Sequence, residues 1–162
     1  EKAFVEMHLQ SVAWQTGMHL SILRVANAYG EGQPAKPGFG VIPAITSALK
    51  IGARFKLYGD GSSRRDYIHV NDIVSAILAT MEKNGVGIVN IGSGVGGSVQ
   101  ELLNLIEEIT GRVVEIERVP ALAPEPVSVV LNVERAAVRL GWRAKVSLNE
   151  GLRRVASYHG LI

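Results

Sequence analysis

Phe4, Val5, Leu9, Val12 and Ala13 recur at near-helical intervals, and the pattern stops at Gly17. That spacing predicts an amphipathic helix over residues 1–16 with glycine as its left-handed stop. From His19 to Tyr29 the rhythm changes: Leu20, Ile22, Leu23 and Val25 crowd a β-type run too apolar for a surface strand. A buried parallel strand following its helix is the expectation. The Gly/Pro loop GEGQPAKPGFG at 30–40 separates it from a helix between Pro43 and Lys50 and a short strand at 55–58. A Gly/Asp/Ser turn then leads into the strand DYIHV, and Asn71 or Asp72 is placed to cap a helix running to Glu82. Downstream, a strand at 87–91 precedes Ser98 and Glu101, whose spacing makes a capping box for a helix over 99–110 that stops at Gly111. VVEIERV at 113–119 reads as another strand. After it come a loop with three prolines, SVVLNV, the ERAAVRLG helix and a last helix from Leu148 to Tyr158. Strands alternating with helices imply an α/β chain, with no internal repeat or low-complexity tract.

Composition narrows the classes. The 162 residues are 47% hydrophobic, enough for one compact unit over 1–162 that buries roughly 70% of its unfolded surface. Net charge is +2, with 17 basic residues scattered among 15 acidic ones, so no basic stripe points to nucleic acid. Cysteine is absent, which removes disulfides, thiolate nucleophiles and zinc fingers and fits a cytoplasmic protein. The apolar runs fall short of the roughly 18 residues a membrane span needs. No signal peptide is visible, but the chain opens at Glu1 in mid-pattern, so a preceding segment is expected.

The chemistry concentrates in GDGSSRRDYIHVNDIV at 59–74. Gly59, Asp60, Gly61, Ser62 and Ser63 tolerate tight backbone geometry, which sets Arg64 and Arg65 at a loop–strand junction. A guanidinium fork there clamps a phosphate bidentately; the alternative is a solvated hairpin tip with two surface arginines. A second motif, IVNIGSGVGGSVQEL, contains a literal G-x-G-x-x-G at Gly92, Gly94 and Gly97, with Glu115 and Glu117 about 20 residues on, the pattern of a dinucleotide fingerprint. The capping box argues against that reading, because it starts the helix after the third glycine, whereas the fingerprint uses that glycine inside the helix–strand unit. His8, His19, His69 and His159 are too scattered for a metal site, Arg24 in an apolar strand calls for Asp66 as a partner, and Trp142 is expected in the core.

Together with LRVANAYGEGQ at 23–33, VIP at 41–43, LNVERAAVRLGW and SLNEGLRR, these motifs resemble the C-terminal half of an extended short-chain dehydrogenase/reductase, among the NAD-dependent nucleotide-sugar epimerases and dehydratases. The resemblance runs in order from Glu1 to Arg154. It implies part of a doubly wound Rossmann-like parallel sheet plus the smaller mixed α/β substrate-binding domain of that family. By the same resemblance NAD is the cofactor, held mainly by an N-terminal Rossmann part not present here. The substrate is a nucleotide sugar, a UDP-hexose first, and the intact enzyme is a homodimer. The family's Tyr-x-x-x-Lys pair finds no match, so no catalytic residue is assigned; Glu1 resembles a glutamate just beyond that lysine, and Lys2 is out of register and reads as a solvated helix residue. In the intact family enzyme a tyrosinate takes the 4-hydroxyl proton while the nicotinamide takes and later returns the C4 hydride.

Carried over residue by residue, the resemblance places six positions at the substrate. Asn27 matches an asparagine donating to the sugar nucleotide, at the C-terminal mouth of a strand where open α/β sheets bind ligands; the alternative is a local turn bond. Arg65 matches the arginine that grips the diphosphate, and Arg64 reads as a surface residue. Lys56 and Tyr58 fall where a family strand meets the nucleobase, Val41 where backbone faces the nucleotide, and Glu125 at an acidic substrate-contact position. Four positions depart from the epimerase pattern: Leu122 replaces a second diphosphate arginine, Val129 a tyrosine, Gly40 an asparagine and Val25 an aromatic. Arg118 is the candidate to compensate for Leu122. A 4,6-dehydratase, a reductase of the same family and a non-catalytic scaffold that has lost its chemistry are the other readings.

Overall fold

The computed structural model describes residues 1–36, 38–121 and 126–162. Helix α1 (Lys2–Thr16) forms over the expected span and ends at Gly17, whose φ of 70° is left-handed, but none of its residues is buried. Strand β1 (Ser21–Val25) follows, and the expectation of a buried strand is corrected: it is largely exposed. Its one pairing among the described residues is parallel, to β5 (Gly87–Ile91), from Ser21↔Gly87 to Val25↔Ile91. Successive side chains on a strand alternate in direction. Leu23 thus packs into a core, and Arg24 turns to the opposite face, where its Nη2 lies 2.5 Å from Glu6 Oε2 of α1. Glu6, not Asp66, is the partner of Arg24.

The apolar run expected as one strand divides at Ala26. Strand β2 (Asn27–Tyr29) leaves β5 and pairs in parallel with β4 (Arg64–His69), Asn27 facing Tyr67 and Tyr29 facing His69. Strand β4 also takes β6 (Gly96–Ser98) antiparallel and β8 (Ser128–Val129) parallel. A separate parallel pair joins β3 (Phe55–Tyr58) to β7 (Ile116–Val119). Two apolar clusters lie around these strands. The first holds Ile42 and Ile45 of α2 (Val41–Ile51), Leu57, Tyr67, Leu102 and Ile106 of α4 (Val99–Thr110), and Leu152 and Val155 of α6 (Leu148–Tyr158). The second holds Ile68, Ala76 of α3 (Val70–Met81), Val89, Ile91, Ala136 and Leu140 of α5 (Glu134–Leu140), and Trp142. Tyr67 belongs to one cluster and Ile68 to the other, so β4 is the wall between them. Each fully buried Leu or Ile contributes about 1.5–3 kcal/mol through area removed from water.

Local signals explain most of the boundaries. Ser98 accepts from Glu101 N while Glu101 Oε2 accepts from Ser98 N (2.9 Å), the expected capping box, and Gly111 (φ 65°) ends α4. Helix α2 starts at Val41, two residues before Pro43, which therefore sits in the first turn, where its missing N–H costs nothing. Trp142 is buried and its Nε1 donates to Ser75 Oγ (2.8 Å). The cap of α3 is corrected: His69 Nδ1 accepts from Asn71 N (3.2 Å). Asp72 instead accepts from Lys145 N (3.0 Å) and Val146 N (2.9 Å), tying the α5–α6 connection to α3.

Asp66 is 1% exposed, and Arg24, the cation the sequence suggests for it, pairs with Glu6 instead. Its Oδ1 accepts from Ser93 N (2.8 Å) and Ser93 Oγ (2.6 Å), and its Oδ2 from Gly94 N (3.1 Å) and Leu131 N (3.3 Å). Backbone dipoles thus compensate a buried charge that would otherwise be prohibitive. A Cβ on Gly92 would overlap Asp66 Oδ2, and Gly94 sits at φ 73°. Gly92 and Gly94, two of the three glycines of the G-x-G-x-x-G match, let the backbone close around the chain's own carboxylate. Asp66→Asn turns an NH2 group toward two of those four donors. It is expected to cost about 3 kcal/mol or more in urea unfolding; a loss below about 1 kcal/mol would refute the role given to this carboxylate.

Candidate functional site

Alternation on β4 that sends Asp66 toward the glycine loop sends Arg65 and Tyr67 to the other side. There they help line a cavity of about 530 Å³ with Asn27 and Tyr29 of β2, Gly40 to Pro43 at the start of α2, the β3 residues, and the loop from Gly59 to Ser63. Val99, Ala121 and Val127 complete the lining. Asn27, Val41, Lys56, Tyr58 and Arg65, far apart in sequence, thus share one cavity. Glu125 and Leu122 lie outside the described residues.

Each group is held by an identifiable contact. Arg65 Nη1 donates to Arg64 O and Pro126 O, both at 3.0 Å, which orients the half-buried guanidinium at the cavity wall. Asn27 Nδ2 donates to Asp66 O (3.0 Å), so this amide makes no local turn bond but reaches from β2 across to β4 while also lining the cavity. Its second N–H and its carbonyl oxygen extend its capacity beyond that bond. Lys56 and Tyr58 share one face of β3, opposite the buried Phe55 and Leu57. Arg64 points elsewhere: its guanidinium reaches Glu101 Oε1 (2.8 Å) and Gly96 O (2.5 Å), pinning α4 and β6 to β4.

The floor of the cavity is electropositive without depending on any single side chain. Helix α2 starts at Val41, with Gly40 as an N-cap that makes no side-chain cap bond, so the N–H groups of Val41 and Ile42 have no partner within the helix at an end that lines the cavity. Gly40 itself, at φ 74° and ψ 129°, has a backbone that other residues rarely adopt, and a Cβ there would press on Pro43 Cγ at 3.1 Å. This accounts for glycine where the family pattern has asparagine. Asp60 supplies the opposite charge at the rim. Its Oδ1 accepts from Ser62 N (2.9 Å) and Ser62 Oγ (2.7 Å), which hold its carboxyl below the usual range and close the turn. Arg118, exposed on β7, adds to that effect. Tyr29 is 3% exposed, and burial, aided by Asp72 and Glu31, pushes its hydroxyl well above the usual phenol range, so it stays a neutral phenol.

Some of the departures sit away from this cavity. Val129 lies on β8 opposite Arg65, and Val25 ends β1; neither lines the cavity. Tyr29, Tyr67, Phe55 and Val127 line it without having been singled out from sequence. For Tyr67 the signal was available, since it stands two residues from Arg65 on one strand. For Val127 it was not, because a loop residue has no period to read.

A model of the NAD dependent epimerase/dehydratase family matches residues 1–92. The chain is 31% identical over 152 residues to the dTDP-4-dehydro-6-deoxyglucose reductase of Escherichia coli, covering 93% of this chain and 48% of that protein. Its fold superposes on the UDP-glucose 4-epimerase of Thermotoga maritima, solved with UDP-glucose, at a TM-score of 0.92 and 37% identity, over 97% of this chain and 51% of that one. The Thermus thermophilus UDP-glucose 4-epimerase, solved with NAD, gives 0.85 and 29%, over 95% and 51%. The chain thus spans about half the length of the relatives it matches. The α/β architecture with parallel strands is the one these epimerases share.

The Asp60–Ser62 turn has a pH signature. A depressed folded-state pKa means that the turn's contribution is complete above the ordinary carboxyl value and is lost as pH falls through the lowered one. The Ser62 amide resonance is therefore expected to titrate with an apparent pKa below 3.8, the ordinary value for Asp. A midpoint at or above it, in an NMR titration, would mean that the turn does not hold the carboxylate.

Proposed function

Because this chain belongs to the NAD-dependent epimerase/dehydratase family, we propose that it is the substrate-binding portion of a nucleotide-sugar 4-epimerase and that its cavity takes the nucleoside diphosphate of the substrate. The observation that carries this reading is the convergence of Arg65 and the uncapped N-terminus of α2 on one cavity also lined by Asn27 and the β3 residues. A diphosphate carries the charge and the several acceptor oxygens that such a set recognises. In this reading Arg65 grips the diphosphate, and the first-turn N–H groups of Val41 and Ile42 face it. Asn27 donates toward the sugar, and Lys56 and Tyr58 border the base. Glu125, outside the described residues, is proposed as a further substrate contact. The anchored diphosphate is the pivot that lets a hexose present either face to an oxidant.

The residues described do not fit a dinucleotide at the one sequence match for it. The loop from Gly92 to Gly97 directs its Ser93 and Gly94 N–H groups to Asp66, where a pyrophosphate would need them. No redox step is therefore assigned to this chain's residues, and NAD, the cofactor of the family, is proposed to be held by a portion beyond those described, in a homodimeric enzyme. The similarity to a dTDP-sugar reductase supports a second reading in which the same diphosphate site serves a reductase.

Calorimetric titration with UDP, dTDP, GDP and NAD tests the assignment. One nucleoside diphosphate is expected to bind, and Arg65→Ala to weaken it by about tenfold to a hundredfold, the loss of one charged hydrogen-bonding group worth about 1.5–3 kcal/mol. Tight binding of NAD with none of any nucleoside diphosphate would overturn the reading. Asn27→Ala is expected to weaken a UDP-sugar more than UDP itself; an equal effect on both would remove Asn27 from the sugar.

A further inference from the structure

A second concavity, of about 220 Å³, lies against α2 and has no part in the nucleotide reading. Three segments wall it. Pro43, Ser47 and Lys50 stand at i, i+4 and i+7 on one face of α2, Tyr158 and His159 close it at the end of α6, and the loop from Gly32 to Ala35 forms the third side. Gly32, at φ 74°, lets that loop approach closely, since a Cβ there would stand 3.4 Å from the Tyr158 hydroxyl. Pro43 is the one residue the concavity shares with the larger cavity.

Its polar groups are of two kinds. Lys50 supplies a compact positive charge and pairs with no carboxylate among the described residues. Burial, together with that ammonium, holds the His159 imidazole below its ordinary pKa, so the two groups oppose one another's charge across the same concavity. An oxyanion settled between them relieves that opposition. The Tyr158 ring meets the imidazole edge-on at 5.3 Å, which restrains its plane. The hydroxyls of Ser47 and Tyr158 and a neutral imidazole each donate and accept, as a ligand hydroxyl does.

Gln33 is an independent sign. Its Oε1 is buried and has no hydrogen-bond partner among the described residues. His69 Nε2 also lacks a well-aligned bond, but it faces Glu31 Oε2 at 3.1 Å. A buried acceptor left unpaired forfeits the bond it had with water. Turning the Gln33 amide about its soft terminal torsion toward a bound hydroxyl restores that bond.

We propose that this concavity is a second ligand site, which takes a phosphorylated sugar of single-hexose size, with the phosphate at Lys50 and the hydroxyls among Ser47, Tyr158, His159 and Gln33. Its volume is less than half the 530 Å³ of the first cavity, which suits a monosaccharide rather than a nucleotide sugar. The inference goes beyond the nucleotide reading of the first cavity and stands if that reading fails.

Calorimetry on the chain with glucose 6-phosphate, glucose and inorganic phosphate tests it. Glucose 6-phosphate is expected to bind at least tenfold more tightly than either fragment, and equally well to the Arg65→Ala chain, whose change lies in the other cavity. Lys50→Met keeps a good helix former and is expected to weaken glucose 6-phosphate and inorganic phosphate alike, by tenfold or more, with circular dichroism unchanged. Gln33→Leu is expected to weaken the sugar phosphate and leave inorganic phosphate as it was. In NMR spectra of the original chain the His159 ring resonances are expected to move on saturation with glucose 6-phosphate. No binding, inorganic phosphate bound as tightly as the sugar phosphate, unmoved His159 resonances, or loss of the sugar phosphate in Arg65→Ala would each overturn the proposal.

Discussion

The structure turns on a carboxylate that has been taken out of water and surrounded by backbone N–H groups. Asp66 draws the loop after β5 and the segment after β8 onto β4, through Ser93, Gly94 and Leu131. A charge in that position cannot be left partly satisfied, because a buried ion without its donors costs several kcal/mol. The segments that supply the donors are therefore fixed with it. Since Arg65 and Tyr67 are its neighbours on the same strand, the geometry of the cavity is set by an interaction on the opposite side of β4. Asn27 joins the same arrangement through its bond to the Asp66 carbonyl.

The cavity shows a division of labour between backbone and side chain. The electropositive wall is partly a helix terminus, which cannot be lost by a side-chain rotation, and partly a guanidinium held by two carbonyl oxygens. Fixed donors of this kind cost little to organise when an anion arrives, whereas free lysines would pay rotamer entropy. The short turn closed by Asp60 and Ser62 restrains the remaining side in the same manner. Gly40 shows that the backbone here dictates side-chain identity: an asparagine would require a conformation this loop does not have.

Several sequence readings met a competing constraint. The glycine match was legible as a loop, and the capping box at Ser98 correctly placed the helix start beyond it. What filled the loop was not legible, because Asp66 lies 27 residues from Ser93. Asn71 and Asp72 are both good cap residues by type, yet His69 caps α3, since the chain after β4 brings its Nδ1 to Asn71 N and leaves Asp72 to hold a distant turn. Arg24 needed a carboxylate, and the sequence offered several; strand alternation chose Glu6. The run around Ile22 and Leu23 is apolar enough for a buried strand, but burial also requires a neighbour on its outer edge.

By itself the sequence determined what short-range physics controls: helix spans, glycine stops, the capping box, the α/β alternation and a motif order that identifies the family. The same motifs pointed to Asn27, Val41, Lys56, Tyr58 and Arg65, which converge on one cavity. Only the tertiary structure decided which partner each polar group takes, which glycines serve a ligand and which serve Asp66, and which apolar faces stay open. Those outcomes depend on contacts between residues far apart in the chain, and residue type limits the possible partners without selecting among them.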